Sequence, residues 1–179
     1  LIVAIDDACS KLIRLNKSLL LLTKIENRQF NLKEIVSFEK TVNNALVLFQ
    51  EPIEANNLEI SKKTENDFCV LMNPDLCQVL INNLFQNAIR YNTQNGLIEI
   101  LIEENKITIS NFGPNEPIDH NLFERFQKNS TSKDSLGLGL SLVKEIAEVS
   151  SLSLDYSYVD GKHCFTVSTK KRGILKKGN

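Results

Sequence analysis

Asparagine side chains spaced along one predicted helix are the residues of this sequence best suited to bind a ligand. The segment NPDLCQVLINNLFQNAIRYN opens with Asn73, a good N-cap, and Pro74 at the first helical position. Asn83, Asn87 and Arg90 follow at spacings of four and three residues and form one polar edge. Amide oxygens can hold a hard cation such as Mg²⁺, and an arginine can bind phosphate. The alternative interpretation is the solvated edge of an amphipathic helix.

The same helix carries an apolar stripe that a core must cover. Asparagine is a poor helix former, because its side chain competes for backbone hydrogen bonds. Asn82, Asn83 and Asn87 therefore contradict local propensity within one helix, and such conflicts tend to mark functional positions. The stripe consists of Leu76, Leu80, Leu84, Ala88 and Tyr91.

A glycine pair provides a second candidate ligand site. Gly137 and Gly139, in LGLGL, stand directly before a predicted helix. There the backbone can approach a ligand closely, and free N–H groups attract phosphate. The same pair can instead form a simple turn. A long loop rather than a strand precedes it, which excludes the dinucleotide GxGxxG motif, and the sequence has no GxxxxGK[ST] P-loop.

The aperiodic stretch from Phe112 to Ser135 predicts a long loop, and such loops are often lids over a ligand. Phe123 and Phe126 are an apolar pair that suits either the anchoring of a closing lid or the anchoring of a long loop to the core. We interpret His120 and His163 as surface or strand residues without a catalytic role, because neither has a set of partner residues.

Composition and charge exclude several classes of protein. The chain has 179 residues, a net charge of −1 and a pI near 6.2, so no overall field favours nucleic acid or an anionic membrane. Its four cysteines are scattered, which argues against a zinc site and favours a reduced, cytoplasmic compartment. The sequence has neither a signal peptide nor a run of membrane-spanning length. Because it starts at Leu1, we expect a longer parent protein, with any membrane segment there.

A heptad pattern over residues 1–26 predicts an amphipathic helix. Its apolar positions alternate spacings of four and three residues, which is typical of helices that pack on other helices. We predict dimerisation through a helical bundle; the alternative is a helix that lies against its own domain. The seam consists of Leu1, Ile5, Ala8, Leu12, Leu15, Leu19 and Leu22.

The remaining pattern predicts an α+β domain. Its order is rich in antiparallel strands and does not alternate strand and helix, which favours a two-layer α/β sandwich with helices on one face. Asp160-Gly161 is a strong hairpin signal. A helix starts at Glu39, and Pro52 should kink or end it. The predicted strands cover residues 32–38, 58–63, 68–72, 97–103, 106–111, 152–158 and 163–169, and a last helix covers 138–149.

Taken together, four segments resemble the ATP-binding domain of a sensor histidine kinase. They are NNLFQNAIRYN, ISNFGPNEP, LFERFQK and LGLGLSLVKEI, in the order of that family's N, G1, F and G2 boxes. The resemblance implies a Bergerat-type ATP-binding fold, shared with gyrase, heat-shock chaperones and mismatch-repair ATPases. It divides the chain into part of a dimerisation domain at 1–28, a catalytic domain at 29–170 and a basic tail, expected to be disordered, at 171–179.

The resemblance also implies ATP and Mg²⁺ as cofactors and assigns roles to residues. Asn87 would be the Mg²⁺ ligand with Asn83 beside it, Arg90 would contact phosphate, and Tyr91 would line the pocket. Catalysis would rest on Asn87, Arg90 and Lys128, since cations offset charge on the phosphates during transfer. The other implied contacts are Asn111 and Gly113 at the base, Arg125 and Lys128 as lid cations, and Gly137, Leu138, Gly139 and Leu140 around the phosphates.

This chain departs from the family pattern at two positions of the first glycine box. Asn111 stands where the family usually has Asp, and Asn115 replaces a glycine. A neutral acceptor is about half as strong as a charged one, so we expect ATP binding that is retained but weaker.

The family phosphorylates a histidine on the first dimerisation helix, and no histidine of this chain has such a context. We therefore expect ATP binding without efficient self-phosphorylation. In a parent protein, which could be an inner-membrane sensor, the γ-phosphoryl would pass to that histidine and then to an Asp of a response-regulator receiver domain. The alternatives are a nucleotide-binding module without kinase chemistry, a related ATPase such as an anti-sigma-factor kinase, gyrase or chaperone, and a helical dimer with an inert sandwich.

Overall fold

A computed structural model describes residues 2–30, 33–113, 123 and 138–170. Within these ranges, helices and strands come in an order that confirms the predicted α+β class. The helices are α1 (Ile2–Glu26), α2 (Phe38–Leu48), α3 (Gln50–Ala55), α4 (Pro74–Arg90) and α5 (Gly139–Val149). The strands are β1 (Glu34–Ser37), β2 (Glu59–Thr64), β3 (Cys69–Met72), β4 (Leu97–Glu103), β5 (Lys106–Phe112), β6 (Leu152–Val159) and β7 (Lys162–Thr169).

The larger sheet has five strands in the order β2-β4-β5-β7-β6. Neighbouring strands are antiparallel except for β2 and β4, which are parallel. Alternate residues of the central strands are buried, so one face of the sheet meets the core. A separate antiparallel ribbon joins β1 to β3. The core-facing residues of the central strands include Ile98, Ile100, Ile102, Ile107, Ile109, Phe165 and Val167.

Helix α4 lies at the centre of the helical layer. The side chain of Asn73 accepts a hydrogen bond from the Leu76 N–H, and Pro74 occupies the first turn, as the sequence predicts. Helix α4 contacts α2, α5 and β5, and its predicted stripe is buried from Leu76 to Ala88. Tyr91 is half-buried and ends the helix as its C-cap. Because this stripe is buried, the rotation of α4 about its axis is fixed, and so is the direction in which its asparagine edge points.

One predicted boundary was wrong for a local reason, and the predicted interruption of the helix near Pro52 is confirmed. Phe38 starts helix α2 instead of ending a strand, because Ser37 accepts a hydrogen bond from the Lys40 N–H and caps the helix there. The break before Pro52 falls at Phe49, and Pro52 lies inside the separate helix α3. Proline is tolerated in a first turn, where its missing N–H has no intrahelical acceptor to lose.

Helix α1 has the predicted extent, but its seam divides between two environments. Leu22 and Ile25 are buried in the core of the domain, and Leu15 packs against that core. Leu12 and Leu19 are 64% and 37% exposed. Leu15 and Leu22 thus follow the alternative interpretation, a helix that lies against its own domain, and α1 contacts α5 of that domain. None of the described helices combines the length and apolar character that crossing a bilayer requires.

The turn between β6 and β7 confirms the hairpin predicted from Asp160-Gly161. Val159 pairs with Lys162, so these two residues form the whole connection. Both have positive φ angles, 51° and 77°, as a type I′ turn requires. The register set by this turn places His163, Phe165 and Val167 on the buried face of β7.

We expect Leu80→Ala to lower the free energy of unfolding by about 2–5 kcal/mol, because Leu80 is fully buried on α4 and its truncation leaves a cavity. Leu71→Ala is the matched control, since Leu71 is 62% exposed on β3, and we expect it to cost less than about 1 kcal/mol. Urea unfolding followed by circular dichroism measures both. Equal losses would contradict the central position of α4.

We also expect the Cys77 thiol to resist alkylation in the folded chain. Burial raises the pKa of Cys77 to about 11, although a contact with Thr41 lowers it in part. Little reactive thiolate is therefore present near pH 8, and the core blocks access to it. Iodoacetamide followed by mass spectrometry should modify the exposed Cys9 first and Cys77 only after unfolding. Labelling of Cys77 at the rate of Cys9 would show that this core opens readily.

Candidate functional site

Two of the predicted site residues meet where α4 passes the start of α5. The Asn83 Nδ2 donates to the Val79 carbonyl at 2.7 Å, which fixes the amide on its own helix. Its Oδ1 faces Gly139, and a Cβ at position 139 would lie 3.1 Å from that oxygen. A larger residue there would press on Asn83. The sequence-predicted neighbours from the N and G2 boxes are thus adjacent in space.

Asn87, one turn further along α4, has a buried side-chain atom without a hydrogen-bond partner among the described residues. Its Nδ2 is buried, and no group among the described residues accepts a hydrogen bond from it. An unpaired buried donor costs about 1–3 kcal/mol, and such orphaned groups require an explanation. A half-turn of the amide would put Oδ1 in the same place. The position therefore suits a ligand that accepts from the nitrogen or a cation that binds the oxygen.

The carbonyl oxygen of Tyr91 connects the end of α4 to the end of β5. The Asn111 Nδ2 lies 3.4 Å from it and donates to the Phe112 carbonyl at 3.0 Å. A Cβ on Gly113 would lie 3.0 Å from the same Tyr91 oxygen. The chain can pass this close only because position 113 is glycine. Asn111 itself is 2% exposed.

His163 lies beneath Gly113, and the sequence interpretation missed this role. It pairs in register with Asn111, and its ring would be 2.7 Å from a Cβ at position 113. The Tyr156 hydroxyl and the His163 Nδ1 are 2.9 Å apart in a hydrogen bond. His163 is a strand residue as predicted, but it is buried and not on the surface. Its alternation with Phe165 and Val167 was the available signal, since period-two spacing places all three on one face.

Helix α5 starts without a side-chain cap. Its N-cap is Leu138, which is buried and has no side-chain oxygen to accept from the first turn. The Ser141 hydroxyl donates to the Leu138 carbonyl at 3.0 Å instead of accepting. Gly139 opens the helix beside the asparagine edge, and Leu140 follows it, half-buried. The first N–H groups of α5 thus receive no side-chain acceptor from the N-cap residue.

The described residues therefore bring together parts of three predicted motifs. Asn83 meets Gly139, and Tyr91 meets Asn111 and Gly113. Arg90 is exposed in the last turn of α4, and it already interacts with another group of the chain. Phe123 packs against the core, as expected for an anchor of the long loop. The remaining predicted residues, Phe126, Arg125, Lys128 and Gly137, and the tail 171–179 lie outside the described residues.

Protein ligands of the zinc type do not converge in the part of the chain that the structure describes. No group of three or more His, Cys, Asp or Glu side chains there could hold a metal ion. The described α4 edge offers amide oxygens as candidate ligands instead. Such ligands suit a hard cation that also binds water and phosphate oxygens.

Comparison with known proteins identifies the same region. Residues 72–173 match the family model of histidine kinase-, DNA gyrase B- and HSP90-like ATPases. The sensor histidine kinase HprS of Escherichia coli K12 is 32% identical over 169 residues, which are 89% of this chain and 36% of HprS. The heme sensor protein HssS of Staphylococcus saprophyticus is 27% identical over 177 residues, 93% of this chain and 38% of HssS. The chain thus spans little more than a third of these relatives.

Solved structures agree with the sequence comparison. The Acinetobacter baumannii histidine kinase AdeS superposes with a TM-score of 0.73 at 24% identity, over 90% of this chain and 79% of that one, and shows the fold. The histidine kinase ThkA in complex with response regulator protein TrrA gives a TM-score of 0.66 at 26% identity, over 90% and 48%. The chain therefore belongs to the family of histidine kinase-, DNA gyrase B- and HSP90-like ATPases, and its relatives there include sensor histidine kinases.

Proposed function

We propose that this chain is the ATP-binding catalytic part of a sensor histidine kinase and binds Mg²⁺ with its nucleotide. The observation that supports this most directly is the meeting of separate sequence motifs along α4. Asn83 touches the start of α5, and the carbonyl of Tyr91 touches Asn111 and Gly113. Asn87 lies between these contacts, one helical turn from each, with an orphaned buried amide atom. The residues present thus fit a nucleotide and a hard cation.

The proposed roles follow the positions of these groups. Asn87 is the Mg²⁺ ligand, and Asn83 lies beside it and holds the start of α5 in place. The uncapped N–H groups from Gly139 and Leu140 onward, after Leu138, bind phosphate oxygens, as helix starts commonly do. Mg²⁺, when bound, offsets charge on the phosphates. Arg90 lies on the turn beyond Asn87 and contacts phosphate.

The base occupies the other end of α4, beside Tyr91, Asn111 and Gly113. His163 forms the floor of this end, because its ring packs under Gly113 and is held by Tyr156. Gly137 cradles the phosphates together with Gly139, and Arg125 and Lys128 act as lid cations, with Lys128 assisting phosphoryl transfer. The family motifs alone support the roles of Gly137, Arg125 and Lys128.

The γ-phosphoryl group passes to a histidine on a helix of the longer protein and then to an Asp of a response regulator. The complex of ThkA with TrrA supports a receiver domain as partner. Residues 1–28 belong to the dimerisation domain, 29–170 form the catalytic domain, and 171–179 form the tail. The exposed Ile5, Leu12 and Leu19 support a homodimer through a helical bundle. Use of ATP and the free cysteines favour a cytoplasmic location for this part.

A second candidate function is nucleotide binding without kinase chemistry. Asn111, which replaces the usual acidic residue of the first glycine box, favours this alternative. The same amide is buried and donates to the Phe112 carbonyl, so its nitrogen is paired at this position. Phosphorylation of a histidine in the longer protein distinguishes the two functions.

We expect Asn87→Ala to weaken Mg-ATP binding by roughly tenfold or more, since it removes a ligand of the cation. Asn82→Ala is the control on the same helix, because its side chain instead accepts from Gln78 at 2.9 Å. We expect that variant to bind Mg-ATP within about twofold of the wild-type affinity. Isothermal titration calorimetry with and without Mg²⁺ measures both. Equal effects of the two substitutions would remove Asn87 from the site.

We expect the 179-residue chain, incubated with γ-labelled ATP, to acquire no acid-labile label. A longer form of the protein that includes the preceding helix should be labelled on histidine, and Asn87→Ala in that form should abolish labelling. Phosphoamino-acid analysis makes the measurement. Nucleotide binding by the long form without any label would favour the alternative function.

A further inference from the structure

We propose that Lys162 is a positioning residue of the nucleotide site, because its ion pair with Glu99 holds the end of β5 in place. The inference rests on the proposed function, in which the base lies beside Asn111 and Gly113. It adds two residues that lie on the opposite face of the sheet from that site. Neither Lys162 nor Glu99 belongs to the four segments that resemble the family motifs.

The end of β5 is held from both faces of the sheet by two consecutive residues of β7. Lys162 and His163 point to opposite faces, because side chains alternate along a strand. His163 packs under Gly113 on the core side. Lys162 pairs in register with Phe112, and its Nζ lies 5.3 Å from the centre of the Phe112 ring on the outer side. The hairpin of β6 and β7 thus supports two neighbouring residues of β5 at once.

Phe112 depends on side chains for its connection to β4. The main-chain pairing of β5 with β4 reaches Asn111, which lies opposite Ile98, and does not include Phe112. The pairing of β5 with β7 extends one residue further, to Phe112 itself. Residues at the end of an element open locally more readily than residues in its interior. A contact that links β4 to β7 across Phe112 therefore limits this opening.

The ion pair of Lys162 and Glu99 makes that connection. Glu99 lies on β4 opposite Ser110, on the same outer face as Phe112, and its carboxylate contacts the Lys162 ammonium. The ammonium also lies near the Phe112 ring, which is a favourable position for a cation. The side chains of Lys162 and Glu99 are 28% and 37% exposed. Ion pairs with this much exposure contribute little to global stability, so we expect a local effect.

A shift of Phe112 would disturb both of the site residues beside it. The Phe112 carbonyl accepts the hydrogen bond from the Asn111 Nδ2 at 3.0 Å. Gly113, the next residue, comes so close to the end of α4 that a Cβ there would lie 3.0 Å from the Tyr91 carbonyl oxygen. Both contacts depend on the position of the Phe112 main chain. The ion pair on the outer face therefore fixes how the end of β5 meets the end of α4.

Lys162→Met tests this role, because it removes the charge and keeps an unbranched side chain. We expect it to weaken Mg-ATP binding roughly three- to tenfold, and Lys162→Arg, which keeps a cation near the ring, to retain most of the affinity. Lys106→Met is the matched control, since Lys106 pairs with Glu103 at 2.9 Å at the other end of β5. That variant should bind Mg-ATP like the wild-type chain. Isothermal titration calorimetry measures all three, and equal affinities of the two methionine variants would overturn the inference.

Melting temperatures and a double-mutant cycle separate the local role from a loss of general stability. We expect Lys162→Met to melt no lower than Lys106→Met, because both variants remove one partly exposed ion pair. Glu99→Gln should weaken Mg-ATP binding as much as Lys162→Met does, and the double variant should bind no more weakly than either single variant. Additive losses in the double variant, or a fall in melting temperature that accounts for the lost affinity, would overturn the inference.

The position of Phe112 can also be followed in the nucleotide-free chain. The side-chain NH₂ protons of Asn111 report on it, because that amide donates to the Phe112 carbonyl. We expect Lys162→Met to speed their exchange with solvent about threefold or more, and to leave the side-chain amide of Asn83, which donates to Val79 on α4, unchanged. Nitrogen-15 NMR with assigned side-chain amides measures both rates in one sample.

The two measurements distinguish a failure of this inference from a failure of the proposed function. Unchanged exchange at Asn111 in Lys162→Met would overturn the inference, whether or not the chain binds nucleotide. Failure of the wild-type chain to bind Mg-ATP would instead overturn the proposed function. The exchange rates would then still decide whether the ion pair of Lys162 and Glu99 holds the end of β5.

Discussion

The burial of α4 is the constraint on which the rest of the structure depends. Its stripe from Leu76 to Ala88 is covered by the core, so the helix cannot rotate without exposing leucines to water. That fixed rotation directs Asn83 to the start of α5 and brings the Tyr91 carbonyl to the end of β5. The position of the candidate site is thus a consequence of hydrophobic packing on the opposite side of the same helix.

The described part of the site consists mainly of neutral amides and main-chain groups. Asn83 and Asn111 each donate from their amide nitrogen to a main-chain carbonyl, and the Asn83 oxygen faces Gly139. Asn87 is the exception, because its buried nitrogen has no acceptor among the described residues. Unsatisfied polar groups of this kind tend to persist where a ligand completes them. The arrangement is suited to a nucleotide that brings its own charge together with a cation.

Much of the fold follows from local patterns, and the failures have identifiable causes. The alternation of β4 and the helical spacing of α4 predicted both elements within a residue or two of their observed ends. Phe38 was misplaced because the capping hydrogen bond of Ser37 competes with a strand pattern. The pairing of β1 with β3 and the parallel pairing of β2 with β4 could not be predicted. Such pairings join segments far apart in the chain and depend on which faces pack together.

The sequence by itself determined the helix with its asparagine edge and the tight turn at Asp160-Gly161, because both depend on interactions between near neighbours in the chain. Only the tertiary structure decided that Asn111 meets the end of α4 and that His163 lies beneath Gly113. It also decided that Leu22 enters the core while Leu19 stays more exposed. Heptad spacing shows that a helix has an apolar face, whereas the shape of the neighbouring domain determines which part of that face is covered.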